Sequence, residues 1–246
     1  MKKLYEKSEL AFAITWIVIY CVLQSLANPL NDRIGVKYAA SAAFCALQTA
    51  VIIGFIRKNR LLERYGLCRS PFPARRFLYY VPLVILATCN LWNGVAVNFS
   101  PADAACHIVC MFCVGFLEEV IFRGFLFRAM AKDNVKSAVL VSSITFGLGH
   151  LLNLVNGSGM ELTENLWQIS IAVAIGFLFV TVFYRGGSLL PCAVTHSAIN
   201  TLSIFSRETG LTAEKRVMCN LIMLAITAAY TLLLTRTLPK KADAAI

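Results

Sequence analysis

The chain has 246 residues, of which 58% are hydrophobic and only 15% are charged. Soluble domains carry about 25% charged residues, so this composition and the long apolar runs exclude a soluble globular protein and predict an all-α, polytopic membrane bundle. The net charge of +10 does not indicate nucleic-acid binding, because the Lys and Arg residues lie in short loops between apolar runs.

Hydropathy predicts about eight transmembrane helices in one membrane domain, residues 1–246. The apolar run that follows the first three residues is longer than the core of a cleavable signal peptide, so we expect it to be retained as the first helix. The predicted spans are 9–27, 36–56, 77–94, 104–127, 137–155, 166–184, 188–206 and 217–235.

Basic residues predict the orientation of the bundle. Most of them fall in loops on one side, and the loop from Arg57 to Arg76 carries seven against a single Glu63. Loops rich in Lys and Arg stay in the cytoplasm, so both termini are predicted to be cytoplasmic.

The fourth predicted span contains three charged residues, Glu118, Glu119 and Arg123. A charge at the centre of a spanning helix costs roughly 2.5–3.5 kcal/mol on insertion scales, and such groups usually mark a functional site. Glu119 and Arg123 are four residues apart, so they share a helix face and can neutralise each other. Glu118 lies on a different face without an opposite charge, which favours a role as a general base.

Two later spans carry further polar groups. Phe146 and His150 lie four residues apart on the fifth span, and the nearby Gly147 and Gly149 allow another helix or a substrate to approach closely. His196 and Asn200 show the same spacing on the seventh span. Taken alone, each histidine is more typical of a hydrogen bond between helices than of catalysis.

These polar residues lie at a similar depth. Glu118, His150, His196 and Asn200 all fall near the middle of the predicted bilayer core. The set fits hydrolysis of an acyl bond. Glu118 would take a proton from water, His196 and Asn200 would stabilise the oxyanion, and His150 would orient the water or the glutamate. The same Glu118, His150 and His196 could instead bind Zn²⁺ with an open position for water. The residues do not decide between the two.

The three motifs, E-E-x-x-x-R at Glu118, F-x-x-x-H at Phe146 and H-x-x-x-N at His196, resemble those of the CPBP (CAAX-processing and bacteriocin-processing, or Abi) family of intramembrane proteases. The motif-bearing core, about 104–206, covers spans four to seven. The resemblance implies an endopeptidase similar to the type II CAAX prenyl endopeptidases and the lysostaphin-resistance proteins. It also implies a catalytic set of Glu118, His150, His196 and Asn200, with Glu119, Arg123 and Phe146 in support.

The resemblance further implies a site that opens to the cytoplasm and a substrate that is a membrane-anchored protein or a leader peptide within the lipid bilayer. Members of the family are described both as zinc proteases and as glutamate proteases. Two alternatives stay open. One is a bacteriocin-immunity or scaffold protein of the same fold without activity, and the other is a proton-coupled transporter that uses Glu118 and the histidines as a relay.

Overall fold

The computed structural model describes residues 1–155 and 160–239, and in this part of the chain it is a bundle of helices without a β-sheet. The helices are α1 (Lys2–Lys7), α2 (Glu9–Ile34), α3 (Ala39–Lys58), α4 (Val81–Ala87), α5 (Pro101–Ala131), α6 (Val135–Gly149), α7 (Leu152–Val155), α8 (Leu162–Gly186), α9 (Leu190–Leu202) and α10 (Ala213–Thr237). Short 3₁₀ turns cover Ala74–Tyr80, Cys89–Leu91 and Ser203–Phe205. The predicted all-α membrane bundle is therefore confirmed.

Capping residues fix where several of the long helices begin. The side chains of Ser8, Ser100, Asn134 and Thr212 each accept a hydrogen bond from a backbone N–H in the first turn of α2, α5, α6 and α10, respectively. Such caps satisfy N–H groups that have no partner inside the helix. The first residues of α2, α5, α6 and α10 are thus determined by the capping residues beside them.

The number of full-length spans is smaller than predicted. Six helices of the described chain are long and apolar enough to cross a membrane: α2, α3, α5, α8, α10 and the run Val135–Leu154. The predicted third span, 77–94, is broken because three consecutive residues, Leu78, Tyr79 and Tyr80, take left-handed backbone angles, which leaves only the seven residues of α4. The predicted seventh span, 188–206, forms the 13-residue α9. At 1.5 Å per residue α9 is about 20 Å long, short of a bilayer core of about 30 Å.

The bundle has two ends that differ in charge. We call the end that carries the loops 59–73 and 186–189 the basic end. There Glu9 accepts from Arg64 at 2.8 Å and pairs with Lys132 at 3.0 Å, while Arg185 donates to backbone carbonyls at the end of α10. At the opposite end Glu164 pairs with Arg216 at 2.7 Å, which joins the beginnings of α8 and α10.

Small residues allow the helices around the centre to approach closely. A Cβ atom on Gly115 of α5 would lie 2.4 Å from the backbone nitrogen of Ser197 on α9. A Cβ atom on Gly147 of α6 would lie 2.3 Å from the side chain of Val173 on α8. The close approach predicted for Gly147 is present, whereas Gly149 has no atom within 4 Å of the equivalent position.

Candidate active site

The predicted glutamates lie where α5 changes its winding. The helix is an α-helix as far as Glu118 and then continues as a π-helix over Glu119–Phe127. Every residue of the π-helical segment is buried. In a π-helix the backbone hydrogen bonds join residues five positions apart. This arrangement is rare and is often found at functional sites. Glu118 and Glu119 therefore lie on either side of the junction between the α-helical and π-helical parts of α5.

Glu119 and Arg123 form the predicted ion pair. Arg123 Nη1 donates to Glu119 Oε1 at 3.0 Å, and both side chains are fully buried. The guanidinium also lies over the ring of Phe146, 4.0 Å from its centroid. The positive charge of Arg123 is thus stabilised by the carboxylate of Glu119 and by the aromatic face of Phe146.

His196 lies between the two glutamates. Its Nδ1 is 2.9 Å from Glu119 Oε1, and its Nε2 is 3.5 Å from Glu118 Oε2. An ionised carboxylate can only accept, so Nδ1 carries the proton in its bond to Glu119. This bond fixes the orientation of the imidazole and directs Nε2 toward Glu118. Oε1 of Glu119 therefore binds both Arg123 and His196.

Tyr20 of α2 is a partner of Glu118 that the sequence motifs do not reveal. Its hydroxyl donates to Glu118 Oε1 at 2.7 Å. The two residues are 98 positions apart, so no helical spacing connects them. The only sequence signal is a tyrosine within the first apolar span, which is ordinary for a membrane helix. Among the described residues no Lys or Arg pairs with Glu118, and its Oε1 is held by Tyr20.

Phe146 connects the remaining motif residues. Its ring lies edge-on to the imidazoles of both His150 and His196, with centroid separations of 5.7 and 5.6 Å. Together with the Arg123 contact, this places three motif side chains around a single ring. The ring of Phe146 thus contacts both histidines, and its supporting role stays a prediction.

His150 and Asn200 line a cavity of about 340 Å³ together with His196. His150 follows the last residue of α6, and its carbonyl accepts from Asn165 of α8 at 2.8 Å. Glu118 is not among the described residues that line the cavity. Its side chain is 12% exposed, and its Oε2 lies 3.5 Å from Nε2 of His196. The cavity and the carboxylate therefore meet at the imidazole.

The predicted zinc ligands do not assemble into a metal site in the described chain. No group of three His, Cys, Asp or Glu side chains there is placed to hold a metal ion. His196 binds Glu119 through Nδ1 and keeps Nε2 on the side of Glu118, as a zinc-bound histidine could, but no third donor group converges with this pair in the described residues. A zinc site normally needs three protein ligands arranged around one point. Glu118, His150 and His196, as they are arranged in this structure, do not fit a zinc ion.

Taken together, the bundle and its buried carboxylate–imidazole cluster define a multi-pass integral membrane protein with a candidate hydrolytic site. Residues 101–202 match the family model described as type II CAAX prenyl endopeptidase Rce1-like. The matched segment begins at the first residue of α5 and ends at the last residue of α9, so it contains all three motifs. Residues 101–202 are therefore similar to this protease family, which agrees with the family that the motifs resemble. No curated protein matches the sequence.

Proposed function

We propose that the protein is an intramembrane endopeptidase that hydrolyses a peptide bond through water activated by Glu118. The observation that carries the proposal is the placement of His196, with Nδ1 2.9 Å from Glu119 and Nε2 3.5 Å from Glu118. A carboxylate, an imidazole and a second carboxylate that orients the imidazole are the groups that general acid–base hydrolysis requires. The match of residues 101–202 to a protease family supports the same reaction.

In the proposed reaction Glu118 Oε2 takes a proton from a water molecule near His196, and the water oxygen attacks the scissile carbonyl carbon. Because Glu119 holds the Nδ1 proton, His196 can donate from Nε2 only when the ring carries a second proton. The charge of that imidazolium is compensated by Glu119. The imidazolium and the Asn200 amide would stabilise the oxyanion, at roughly 3–4 kcal/mol for a good donor. The proton on Glu118 then passes to the leaving amine as the C–N bond breaks.

Tyr20 and Phe146 would position the reacting groups. The hydroxyl of Tyr20 binds Oε1 of Glu118 and so leaves Oε2 on the side of His196. Phe146 lies between His196 and His150, which keeps the second imidazole in the cavity wall, where it can orient the water. The proposed substrate is a membrane-anchored protein or a leader peptide, because the cavity lies inside an apolar bundle.

The proposal is tested with purified protein in proteoliposomes and a library of membrane-anchored peptides, with cleavage read by mass spectrometry. We expect Glu118→Ala and His196→Ala to lose at least a hundredfold in rate, because each removes a group that acts on the reacting atoms. Glu9→Ala is the matched control. Glu9 is also a glutamate in an ion pair, but its partners Arg64 and Lys132 lie at the basic end and not in the cluster, so the variant is expected to keep its activity.

Cleavage by the Glu118→Ala variant at the rate of the unmodified protein would refute the assigned base. The immunity or scaffold alternative makes a different prediction for the same variant. If Glu118→Ala abolishes cleavage, and any protective or complex-forming phenotype is lost with it, proteolysis is the function. If the phenotype survives in a folded variant, the scaffold alternative is correct.

A further inference from the structure

A second cavity lies at the basic end of the bundle, between the loop 59–73, the turn that follows α8 and the end of α10. Its volume is about 410 Å³. The charged side chains that line it are two arginines and one acid: Arg69, Arg185 and Glu63. The lining therefore carries a net positive charge.

Hydrogen bonds hold the walls of this cavity in place. Ser70 Oγ donates to the carbonyl of Gly186 at 2.6 Å, and Ser188 Oγ donates to the carbonyl of Cys68 at 2.6 Å. Arg185 donates through Nη1 to two carbonyls at the end of α10, while its Nη2 and Nε have no hydrogen bond to another described residue. The cavity thus lies between connected segments, and one of its arginines keeps two donor groups available.

Arg128 of α5 is a buried cation close to this cavity. It is only 5% exposed, and its guanidinium lies over the ring of Phe183, 4.8 Å from the centroid. Cys68, which lines the cavity, is close enough to Arg128 to act on it electrostatically. Arg128 is not itself part of the lining, so its charge acts on the cavity from the distance of Cys68.

Arg128 lacks the kind of partner that a buried charge normally has. Buried charges are usually paired, because removal of an ion from water is unfavourable. Arg123, the other buried arginine of the described chain, binds Glu119 at 3.0 Å. No described acid forms an ion pair with Arg128, and its Nε has no hydrogen-bond partner. Glu9, an acid at the same end, is already bound by two other cations.

Arginines around a cavity at this level favour a phosphate group as the ligand. A guanidinium presents its N–H donors in a planar fork that matches the geometry of phosphate. Arg128 lies three residues before the end of α5, and Arg185 lies one residue before the end of α8. Both are therefore near the membrane surface, where basic pockets between helices bind the phosphates of lipid headgroups.

We propose that the cavity at the basic end binds a phosphate group, carried either by an anionic phospholipid or by soluble phosphate. Arg69 and Arg185 would donate to the phosphate oxygens, and the phosphate would supply the counter-charge that Arg128 lacks. A zwitterionic choline lipid would bring a positive charge to the same arginines and bind more weakly. The site is separate from Glu118 and the histidines, so the inference goes beyond the proposed function and does not depend on it.

The lipid source is tested by native mass spectrometry of the purified protein in detergent, with dioleoyl phosphatidylglycerol or dioleoyl phosphatidylcholine added. We expect phosphatidylglycerol to bind about tenfold more tightly. Arg69→Gln should remove most of this difference, because a hydrogen bond to a charged group changes affinity about tenfold. Arg69 is exposed, so the variant is expected to fold.

Arg57→Gln is the matched control for Arg69→Gln. Arg57 is also exposed at the basic end, but it does not line the cavity. The control therefore removes the same charge from the same end and is expected to keep the preference for phosphatidylglycerol. Arg128→Gln is expected to weaken binding of phosphatidylglycerol more than Arg57→Gln does, although Arg128 is the more buried residue.

The soluble source is tested by the Tm of the same proteins in detergent with inorganic phosphate, at constant ionic strength. A ligand that binds only the folded state raises the Tm. A rise in the unmodified protein and in Arg57→Gln, but not in Arg69→Gln, would identify soluble phosphate as a ligand of the site. A preference for phosphatidylglycerol without this rise would identify the lipid headgroup as the ligand.

Equal binding of the two lipids, together with no effect of inorganic phosphate, would overturn the proposed site. Equal losses in Arg57→Gln and Arg69→Gln would also overturn it, since they would show attraction to the basic end as a whole. None of these measurements uses cleavage, so a failure here is distinguishable from a failure of the proteolytic function.

Discussion

At the level of single residues, the two adjacent glutamates differ in what they contact. Glu119 is fully buried and binds Arg123 and His196 through one oxygen. Glu118 is held by Tyr20 and directs its other oxygen toward the same histidine. The ion pair between Glu119 and Arg123 was predictable from their spacing of four. The contacts with Tyr20 and His196 were not, because they join residues far apart in the chain.

Removal of the Tyr20 hydroxyl tests its positioning role. We expect Tyr20→Phe to lower kcat about tenfold or more with little change in KM, since a hydrogen bond to a charged group contributes about 1.5–3 kcal/mol. Tyr230→Phe is the matched control, because Tyr230 is also buried and donates to the Phe77 carbonyl at 2.7 Å away from the cluster. Equal kcat values for the two variants, measured on the same peptide, would show that Tyr20 acts only in folding.

Neutralising Glu119 should affect stability as well as activity. Breaking a fully buried ion pair costs about 3–5 kcal/mol because the partner charge is left uncompensated. Glu119→Gln is therefore expected to lower the Tm in detergent markedly and to abolish cleavage.

Glu9→Gln, at the basic end, is the control for Glu119→Gln. Glu9 pairs with Arg64 and Lys132, but its side chain is 18% exposed and those of its partners are 32% and 44% exposed. Exposed pairs contribute about 0–1 kcal/mol, so Glu9→Gln should change the Tm little. Similar losses of Tm in both variants would contradict the burial argument.

At the level of elements, the sequence allowed prediction of the helices and of which of them carry the site. It did not allow prediction of how they are wound or where they stop. The π-helical segment Glu119–Phe127 contains no proline, and its Glu119–Arg123 spacing of four is equally typical of an α-helix, so its sequence does not indicate the change of winding. The predicted seventh span was too long because hydropathy continues across 188–206, while the α-helix ends at Leu202.

The contact between α5 and α9 depends on one glycine. The Cβ of an alanine at position 115 would lie 2.5 Å or less from the backbone of Ser197, the residue next to His196. Backbone atoms cannot turn away as a flexible side chain can, so the helices would have to separate. We expect Gly115→Ala to reduce cleavage at least tenfold and to lower the Tm.

Gly54 of α3 offers the control for that substitution. A Cβ atom there would meet nothing within 4 Å. Alanine is favoured over glycine inside a helix by about 1 kcal/mol, so Gly54→Ala should leave the Tm unchanged or raise it slightly. A loss of activity in Gly54→Ala comparable to that in Gly115→Ala would remove the steric explanation.

At the level of the whole molecule, the all-α membrane bundle was predicted correctly and residues 101–202 match the family that the motifs resemble, while the count of eight spans was not confirmed. Hydropathy windows measure apolar content, and a broken segment such as 77–94 can be as apolar as a continuous helix. The predicted cytoplasmic position of the termini stays a prediction.

The lack of a three-ligand group in the described chain leads to a prediction for metal removal. We expect cleavage to persist after prolonged treatment with a chelator that binds zinc, with less than one equivalent of metal in the purified protein. A rate that falls by tenfold or more in chelator and returns on addition of Zn²⁺ would contradict the glutamate mechanism. It would require Glu118, His150 and His196 to converge in another conformation.

Tyr20 belongs to α2, outside the segment 101–202 that matches the family. A minimal enzyme designed by trimming the chain to that segment would keep every motif residue and lose the hydroxyl bound to Glu118. Chimeras that exchange the N-terminal helices between homologous proteases should likewise show altered turnover even when their motifs are identical. The first membrane helix would then be a module through which catalytic rate can be engineered without touching the motifs.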